Sequence, residues 1–205
     1  AELLGTEHIM KRRAATPEVY EQISAVLSHT EDVLERMTKD YVRTSEQAAL
    51  VTPGNFDGGV SSVSEKALGG IHKSGSCKFV GVVGYAEQPK GTGLYLMAAA
   101  GDDSDIATSL VAGGAQIIAF TTGRGTPTGF PGVPVLKITG NSKTYRNMED
   151  DMDYNAGRVM DGEITLEQAG QEIYQEVLKI AGGKPTKAEV LGHDELFSIG
   201  RYDCF

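Results

Sequence analysis

The sequence contains no tryptophan and, among its 205 residues, only two cysteines, Cys77 and Cys204. Two cysteines are too few for a disulfide scaffold, so a reduced, cytoplasmic setting is the default expectation. No apolar run approaches the roughly 20 residues that a bilayer crossing requires, and the first residues lack the charged-then-apolar layout of a secretory signal. The sequence therefore predicts a cytoplasmic protein without a membrane partner.

Basic residues are in the minority, since 19 Lys and Arg stand against 28 Asp and Glu, for a net charge of -9. Binding along a phosphate backbone is driven by clustered Lys and Arg side chains that release counterions. Aromatic residues make up only 7% of the chain, which also argues against recognition of single strands by base stacking. The composition therefore argues against nucleic acid as a partner.

Glycine, in contrast, is abundant, with 26 residues that cluster in short segments without a regular period. Glycine in loops supplies backbone that turns tightly or lets a ligand approach closely. The clusters are residues 54–59, 69–75, 81–93, 113–114 and 123–132.

Helices are predicted from their start signals and their apolar spacing. The first begins at Thr16-Pro17 and ends near Met37–Tyr41, because a Pro follows an N-cap residue and apolar residues then recur every three or four positions. Ser62 opens a short helix with capping-box spacing, which Gly69-Gly70 are expected to weaken or end. A final helix is predicted over Leu166–Ala181 from the same kind of capping signal.

Four short β-prone runs are typical of fully buried strands. They are Phe79–Val83, Leu94–Met97, Gln116–Phe120 and Pro134–Ile138. Residues 102–114 predict a crossover helix between the second and third runs, so that strand, helix and strand form a right-handed βαβ unit. The link from Phe120 to Val133 is rich in Gly and Pro and is predicted to carry no helix. The predicted class is α/β.

The segment TTGRGTPTGFPG, residues 121–132, follows an apolar strand. Open parallel sheets bind ligands at the carboxyl ends of their strands, so this position favours a binding loop. The glycine spacing does not fit a dinucleotide fingerprint, and the sequence contains no GxxxxGKS/T motif. A carboxylate or phosphate cradle around Arg124 is the functional interpretation, and a surface turn with a solvated arginine is the alternative.

Three further patterns carry candidate site residues. Residues 151–155 (DMDYN) look like the start of a calcium loop, but Ala156 stands where a glycine is needed, so acids at a helix N-terminus are the alternative. Glu7-His8 pairs a carboxylate with an imidazole that could supply metal ligands from a loop. Lys66 is a candidate acid/base or a cation for an oxyanion, and a solvated helix residue is the alternative.

Several long blocks, which occur in order along the chain, resemble the altronate/galactarate dehydratase family. The blocks are residues 54–75 (GNFDGGVSSVSEKALGGIHKSG), 83–87 (VGYAE), 111–129 (VAGGAQIIAFTTGRGTPTG), 136–141 (LKITGN) and 150–163 (DDMDYNAGRVMDGE). That family removes water from sugar acids, and (2R)-sulfolactate sulfo-lyase is a relative. The resemblance implies a metal-dependent hydro-lyase that dehydrates a sugar acid such as galactarate or altronate.

The resemblance also implies a Rossmann-like, mostly parallel sheet with helices on both faces and an unusual crossover, which the helix-free link fits. It implies that residues 1–205 form a single domain, the C-terminal portion of the family's catalytic domain, with a tail over residues 184–205. The family's upstream strands are expected to be missing from this chain. An exposed sheet edge where those strands would pair favours a homodimer, or pairing with the family's N-terminal half.

The resemblance further implies roles for individual residues. A divalent metal, Fe²⁺ or alternatively Mn²⁺ or Mg²⁺, would hold the enediolate that forms when a base removes the proton beside the carboxylate. Glu7 and His8 are expected at the metal or base site, and Lys66 as the acid/base or the oxyanion cation. The expected substrate-binding residues are Asn55, Gly58, Gly59, Thr121, Thr122, Gly123, Arg124, Asp153 and Asn155.

One segment departs from the family's pattern. Where the second strand ends, relatives tend to carry an Asp followed by a small polar residue and Pro, whereas this chain has Ala98-Ala99-Ala100. The loss of a strand-end carboxylate keeps two alternatives open. One is a sulfo-lyase that acts on sulfolactate with sulfite as the leaving group. The other is a non-catalytic fragment that binds an acidic ligand or dimerises.

Overall fold

The computed structural model describes residues 3, 5–40, 60–99, 103–194 and 197–198. The elements are α1 (Glu7–Arg12), α2 (Pro17–Asp40), α3 (Val63–Lys73), β1 (Phe79–Val83), β2 (Leu94–Met97), α4 (Asp103–Ala112), β3 (Ile118–Thr122), β4 (Val135–Thr139), α5 (Ser142–Asn147), β5 (Tyr154–Asn155), a 3-10 turn (Ala156–Val159), α6 (Leu166–Ala181) and α7 (Lys187–Leu191). The fold is α/β with open sheets, as predicted. Among these helices, none combines the length and the apolarity that a membrane span requires.

Backbone contacts divide the chain after Gly113 into two compact units. In the N-terminal unit, α1, α2 and α3 pack their apolar side chains on β1 of a two-stranded sheet. The buried members of this core are Met10, Val19, Ile23, Leu27, Ile71 and Phe79. The predicted single domain over residues 1–205 stays a prediction.

Helix α2 confirms the helix predicted from Pro17, because it ends at Asp40. Helix α3 begins after the Ser62 cap as predicted, but it continues through Gly69-Gly70 to Lys73. The expectation that these glycines end the helix was therefore wrong. Ile71 is buried in the core, and tertiary packing outweighs the weak helix propensity of glycine.

The C-terminal unit, Gly114–Ser198, is built on the three-stranded sheet β3–β4–β5. All five residues of the central strand β4 are buried. On one face of β4, Leu136 and Ile138 pack with Ile180 of α6. On the other face, Val135 and Ala188 of α7 line one small pocket. Helices therefore cover both faces of this strand.

The described strand pairs are all parallel. Residues 84–93 join β1 to β2 and residues 123–134 join β3 to β4, and neither link contains a helix. Neighbouring parallel strands are usually joined through a helix, so both crossovers are unusual, and the second was predicted. Helix α4 forms where the crossover helix was predicted, but in the described part of the chain β3 pairs with β4 and not with β2.

Candidate functional site

The carboxyl ends of β3, β4 and β5 meet at one edge of their sheet, the carboxyl edge, because the three strands run parallel. Thr122 is paired with Thr139, and Thr139 with Asn155, so these residues form one row along that edge. Ligands of open parallel sheets bind at this kind of edge. The row brings together two predicted substrate-binding residues, Thr122 and Asn155, and adds Thr139, which the sequence analysis did not name.

Asn155 ties two segments of the carboxyl edge together. Its Oδ1 accepts a hydrogen bond from the Gly157 N–H at 3.0 Å, and its amide group exchanges hydrogen bonds with the Ser142 hydroxyl at 3.1 and 3.2 Å. Gly157 has no room for a side chain, since a Cβ there would lie 2.4 Å from the Ser142 backbone N. Asn155 thus joins the start of α5 to the 3-10 turn, and its role in substrate binding stays a prediction.

The first residues of the link between β3 and β4 are held by the segment that follows β4. The Gly140 N–H donates to the Thr122 carbonyl at 3.3 Å, and the Thr144 hydroxyl donates to the Gly123 carbonyl at 2.9 Å. The Asn141 side chain caps α5 by accepting from two backbone N–H groups of its first turn, at 2.9 and 3.3 Å. These hydrogen bonds fix the position of the link relative to α5.

The last two residues of β3 and the first three of the link, residues 121–125, are exposed or half-buried, and we call them the cradle segment. Thr121, Gly123 and Arg124 are exposed, whereas Thr122 is half-buried. Gly125 turns the backbone with a φ of 79°. An exposed arginine and nearby threonines in sequence offer a cation and hydroxyl donors of the kind that carboxylates and phosphates select. The structure therefore groups four predicted substrate-binding residues on one short segment at the carboxyl edge.

The second part of the link, residues 126–130, is buried except for Pro127, and we call it the anchor segment. The Thr126 and Thr128 hydroxyls lie 2.7 Å apart and share a hydrogen bond. Gly129 packs on the tail, because a Cβ at this position would lie 1.8 Å from the His193 carbonyl oxygen. These two hydroxyls thus bond to each other within the protein interior, and the cradle around Arg124 stays a prediction.

Lys137, in the middle of β4, is a buried lysine that the sequence analysis did not single out. It is 0% exposed, and its Nζ donates to the Pro127 carbonyl at 3.2 Å. Burial lowers the pKa of the Lys137 ammonium; the Asp153 and Asp151 carboxylates act in the opposite direction, and Lys187 lowers it further. The only sequence feature that could have pointed to Lys137 is its position between apolar residues of a predicted buried strand.

His193, in the tail, reaches the same carbonyl. Its Nδ1 lies 2.8 Å from the Pro127 oxygen, and because a carbonyl only accepts hydrogen bonds, Nδ1 carries the proton. The same atom is 3.8 Å from the Asp151 carboxylate. Helix α7 brings the histidine there, since its Thr186 capping box begins it and Gly192, with a φ of 73°, ends it.

Asp153 is bound to backbone through both of its carboxylate oxygens. One oxygen accepts from the Lys137 N–H and the other from the Lys187 N–H, each at 2.8 Å. The side chain therefore joins β4, β5 and α7, which is a structural role that the calcium-like pattern did not indicate. Its predicted role in substrate binding stays a prediction.

The N-terminal unit carries the other described candidates. The Glu7 carboxylate, at the start of α1, accepts from the Gly5 N–H at 2.6 Å, and the neighbouring His8 is exposed. Lys66 is half-buried in the first turns of α3. The remaining predicted substrate-binding residues lie outside the described residues: Asn55, Gly58 and Gly59.

Metal binding gains no geometric support from the described residues, among which no group of three or more His, Cys, Asp and Glu side chains could hold an ion. Glu7 and His8 are adjacent along α1 and supply two side chains, one of which already bonds to the backbone. The described part of the chain therefore does not by itself fit the divalent metal that the resemblance implies.

The N-terminal unit has a second carboxyl edge, formed by β1 and β2. Tyr85 follows β1, and its hydroxyl donates to the carboxylate of Asp105, which is buried in the first turn of α4. The Ala98 N–H extends the strand pairing to the Val83 carbonyl at 2.9 Å. Although the strand end itself carries alanines, the helix after it supplies a buried carboxylate that the sequence analysis missed.

Comparison with known proteins adds a separate line of evidence. A family model described as D-galactarate/Altronate dehydratase, C-terminal, matches residues 1–203 of the chain. The match covers both compact units and every candidate residue named above.

Individual relatives agree with the family model. The (2R)-sulfolactate sulfo-lyase subunit beta of Chromohalobacter salexigens is 34% identical over 204 residues, which are 99% of this chain and 51% of that protein. Galactarate dehydratase (L-threo-forming) of Escherichia coli is 36% identical over 177 residues, or 86% of this chain and 33% of that protein. Altronate dehydratase of Bacillus subtilis is 32% identical over 197 residues, which are 95% of this chain and 38% of that protein. The chain thus spans about half, or less, of the length of these curated relatives.

Proposed function

The chain belongs to the D-galactarate/altronate dehydratase C-terminal family, and on that basis we propose that it contributes to a hydro-lyase that dehydrates a sugar acid such as galactarate or altronate. The observation that carries the proposal is the match over residues 1–203 to a family whose named relatives remove water or sulfite from hydroxy acids. The portion of those relatives that this chain does not match would supply further residues of the site. A homodimer, or a complex with that N-terminal portion, forms part of the proposal.

The chemistry of the proposed reaction defines what the site must do. A base removes the proton on the carbon beside the carboxylate, the electron pair moves into the carboxylate to give an enediolate, and an acid protonates the departing hydroxyl. Negative charge therefore grows on the carboxylate oxygens in the transition state. Fixed donors directed at those oxygens accelerate the reaction, since they stabilise charge that develops during it.

We assign the carboxylate-binding role to the cradle segment. Arg124 is the exposed cation of this segment, and Thr121 and Thr122 precede it by three and two positions along the chain. The position at the carboxyl edge of a parallel sheet supports the assignment. Lys66 and His8 are the proposed proton-transfer residues, and Asn55, Gly58 and Gly59 are proposed substrate contacts.

A divalent metal belongs to the proposal as the group that would polarise the substrate carboxylate. Glu7 and His8 are its proposed partial ligands. The described residues do not form a complete metal site, so the metal dependence of turnover has to be measured directly.

The test is a turnover assay of this chain, alone and combined with the unmatched portion of a galactarate dehydratase, with Fe²⁺, Mn²⁺ or Mg²⁺ under reducing conditions. Galactarate, altronate and sulfolactate are the substrates, and formation of a 2-keto acid is the readout. Arg124→Ala is expected to lower kcat/KM by about tenfold to a hundredfold, the value of one to two lost charge-assisted hydrogen bonds. Wild-type kcat/KM in this variant would overturn the cradle assignment.

The matched control is Arg146→Ala, which removes an exposed arginine from the last turn of α5. We expect its kcat/KM to stay within about twofold of wild type, because isolated exposed charges contribute little. The absence of turnover, and of any ligand-induced thermal shift, with all three substrates in every preparation would contradict the lyase proposal and favour a non-catalytic fragment.

A second candidate function is a carbon–sulfur lyase. It is favoured by the sulfolactate sulfo-lyase subunit, whose match extends over 99% of this chain. The same enediolate forms, but sulfite leaves in place of hydroxide. Release of sulfite from sulfolactate in the same assay, with no product from the sugar acids, would select this candidate.

A further inference from the structure

Lys137 presents an unusual combination of position and partner. The residue is 0% exposed, yet it carries a long cationic side chain into the space between β4 and the anchor segment. Transfer of an ammonium group out of water is costly unless the group is paired and hydrogen-bonded. Its Nζ bonds to the Pro127 carbonyl at 3.2 Å, in the middle of the link between β3 and β4.

The Pro127 carbonyl receives a second donor from a different part of the chain. The Nδ1–H of His193 donates to it at 2.8 Å. Gly129, two residues further on, leaves no space for a Cβ against the His193 carbonyl. A lysine of β4 and a histidine of the tail therefore both donate to one peptide carbonyl of the anchor segment.

We propose that Lys137, supported by His193, is a positioning residue that fixes the cradle segment by holding the Pro127 carbonyl. The anchor and cradle segments are continuous in sequence, with only Gly125 and Thr126 between Arg124 and Pro127. A Cβ at Gly125 would lie 2.4 Å from the Met148 Sδ, so this connection is itself tightly packed. Displacement of the Pro127 peptide would therefore reach Arg124.

Burial excludes direct contact between Lys137 and a substrate, since the residue has no exposed surface. What the ammonium supplies, and a methionine would not, is a charge-assisted hydrogen bond to one particular carbonyl.

Hydrogen exchange measured by mass spectrometry tests the proposal without an assay of activity. In Lys137→Met, amides of residues 121–130 are expected to exchange about tenfold faster than in the wild type, while amides of β4 and α6 keep their protection. His193→Phe removes the other donor and should produce a smaller acceleration in the same peptide. Lys179→Met, which removes an exposed lysine of α6, is the matched control and should leave the peptide unchanged.

The ligand arm of the experiment rests on the proposed function. Calorimetric titration with galactarate is expected to give about tenfold weaker binding for Lys137→Met and unchanged binding for Lys179→Met. Faster exchange without any galactarate binding in the wild type would leave the positioning role intact and refute the carboxylate ligand. Failure of the positioning role and failure of the proposed function therefore give different results.

The positioning role is refuted if residues 121–130 exchange at the wild-type rate in a folded Lys137→Met protein. It is also refuted if exchange accelerates equally across the C-terminal unit, since that pattern indicates general destabilisation. If Lys137→Met does not fold, His193→Phe decides: selective acceleration of the link supports the role, and an unchanged link overturns it.

Discussion

The two helix-free links differ in what covers them. Residues 84–93, between β1 and β2, are exposed or half-buried throughout, and their first turn is closed by an exposed glutamate. Residues 126–130, in the middle of the link between β3 and β4, are buried except for Pro127. Both segments contain glycine and one proline, but only the first contains charged residues, Glu87 and Lys90.

The difference comes from segments distant in sequence. Helix α7 and His193 lie on the second link, and Lys137 of β4 reaches it from the opposite side. In the first link, Glu87 bonds to Gly84 three positions away and the Tyr85 hydroxyl donates to Asp105 of α4, but none of residues 84–93 is buried. A loop that contains glycine and proline is thus an accessible turn in one place and part of the interior in the other, because Ala188 and His193 pack on the second.

The strongest test of this contrast compares a glycine in each link. A Cβ at Gly129 would lie 1.8 Å from the His193 carbonyl oxygen, whereas a Cβ at Gly91 would lie 3.4 Å from the Tyr95 hydroxyl. Gly129→Ala is expected to lower the free energy of unfolding by about 3 kcal/mol, because the clash is with backbone that cannot rotate away. Gly91→Ala should change it by less than about 0.5 kcal/mol. Urea unfolding measures both, and equal losses would show that the second link is not fixed by the tail.

A smaller contrast is expected for threonine. Thr126 shares a buried hydrogen bond of 2.7 Å with Thr128 and accepts from the Thr128 N–H at 3.2 Å, whereas Thr92 is exposed in the first link. Thr126→Val should cost about 1–2 kcal/mol of unfolding free energy, because it leaves the Thr128 groups buried without this partner. Thr92→Val should be nearly neutral. A neutral Thr126→Val would mean that water reaches the anchor segment.

Lys137, which bonds to the second link, should also make the free energy of unfolding depend on pH, whereas the lysine of the first link should not. Burial lowers the folded-state pKa of Lys137 below its ordinary value of 10.5, with Asp153 and Asp151 opposing the shift and Lys187 adding to it. Between those two pKa values the unfolded chain binds more protons than the folded one, so stability rises with pH across that window. Urea unfolding over the alkaline range below pH 10 should show this rise in the wild type and a flatter profile in Lys137→Met.

The control for this measurement is Lys90→Met, which removes an exposed lysine of the first link and should keep the wild-type slope. The pH range stops below 10 because burial and the Glu172 hydrogen bond raise the pKa of Tyr154 to about 12. Above pH 10 that tyrosine contributes the opposite slope, since its stabilisation is lost as pH rises through the folded-state value. Identical slopes for Lys137→Met and the wild type would refute the lowered pKa.

Most of the secondary structure could be predicted because its signals are local. The capping box at Thr165 and the glycines after Ala181 fix α6 at both ends, and the structure places the helix at Leu166–Ala181 as predicted. The wrong prediction that Gly69-Gly70 end a helix arose because the outcome there depends on residues distant in sequence. Whether a glycine ends a helix depends on what the following turn buries, and Ile71 is buried by residues distant in sequence.

The candidate site could likewise be predicted only where its signals are local in sequence. Arg124 and its neighbours were found because strand ends and glycine clusters are visible in sequence, and the structure places them at the carboxyl edge. Lys137 and His193 were missed because their roles depend on contacts with the Pro127 carbonyl. The contact of His193 spans 66 residues, and hydrophobic periodicity gives no information on contacts at that separation. The hydrogen bonds of Asp153 to backbone were missed for the same reason.

The smallest expected effect belongs to the first link. The Glu87 carboxylate accepts from the Gly84 N–H at 2.9 Å and closes a turn in which Ala86 has a φ of 59°. Glu87→Ala removes this bond, but both residues are accessible to water, which replaces the lost acceptor, so we expect a loss of no more than about 0.5 kcal/mol in unfolding free energy. Hydrogen exchange should accelerate at the turn and nowhere else. A loss as large as that of Gly129→Ala would contradict the contrast, because it would show that the exposed turn of the first link contributes as much to stability as the buried anchor segment.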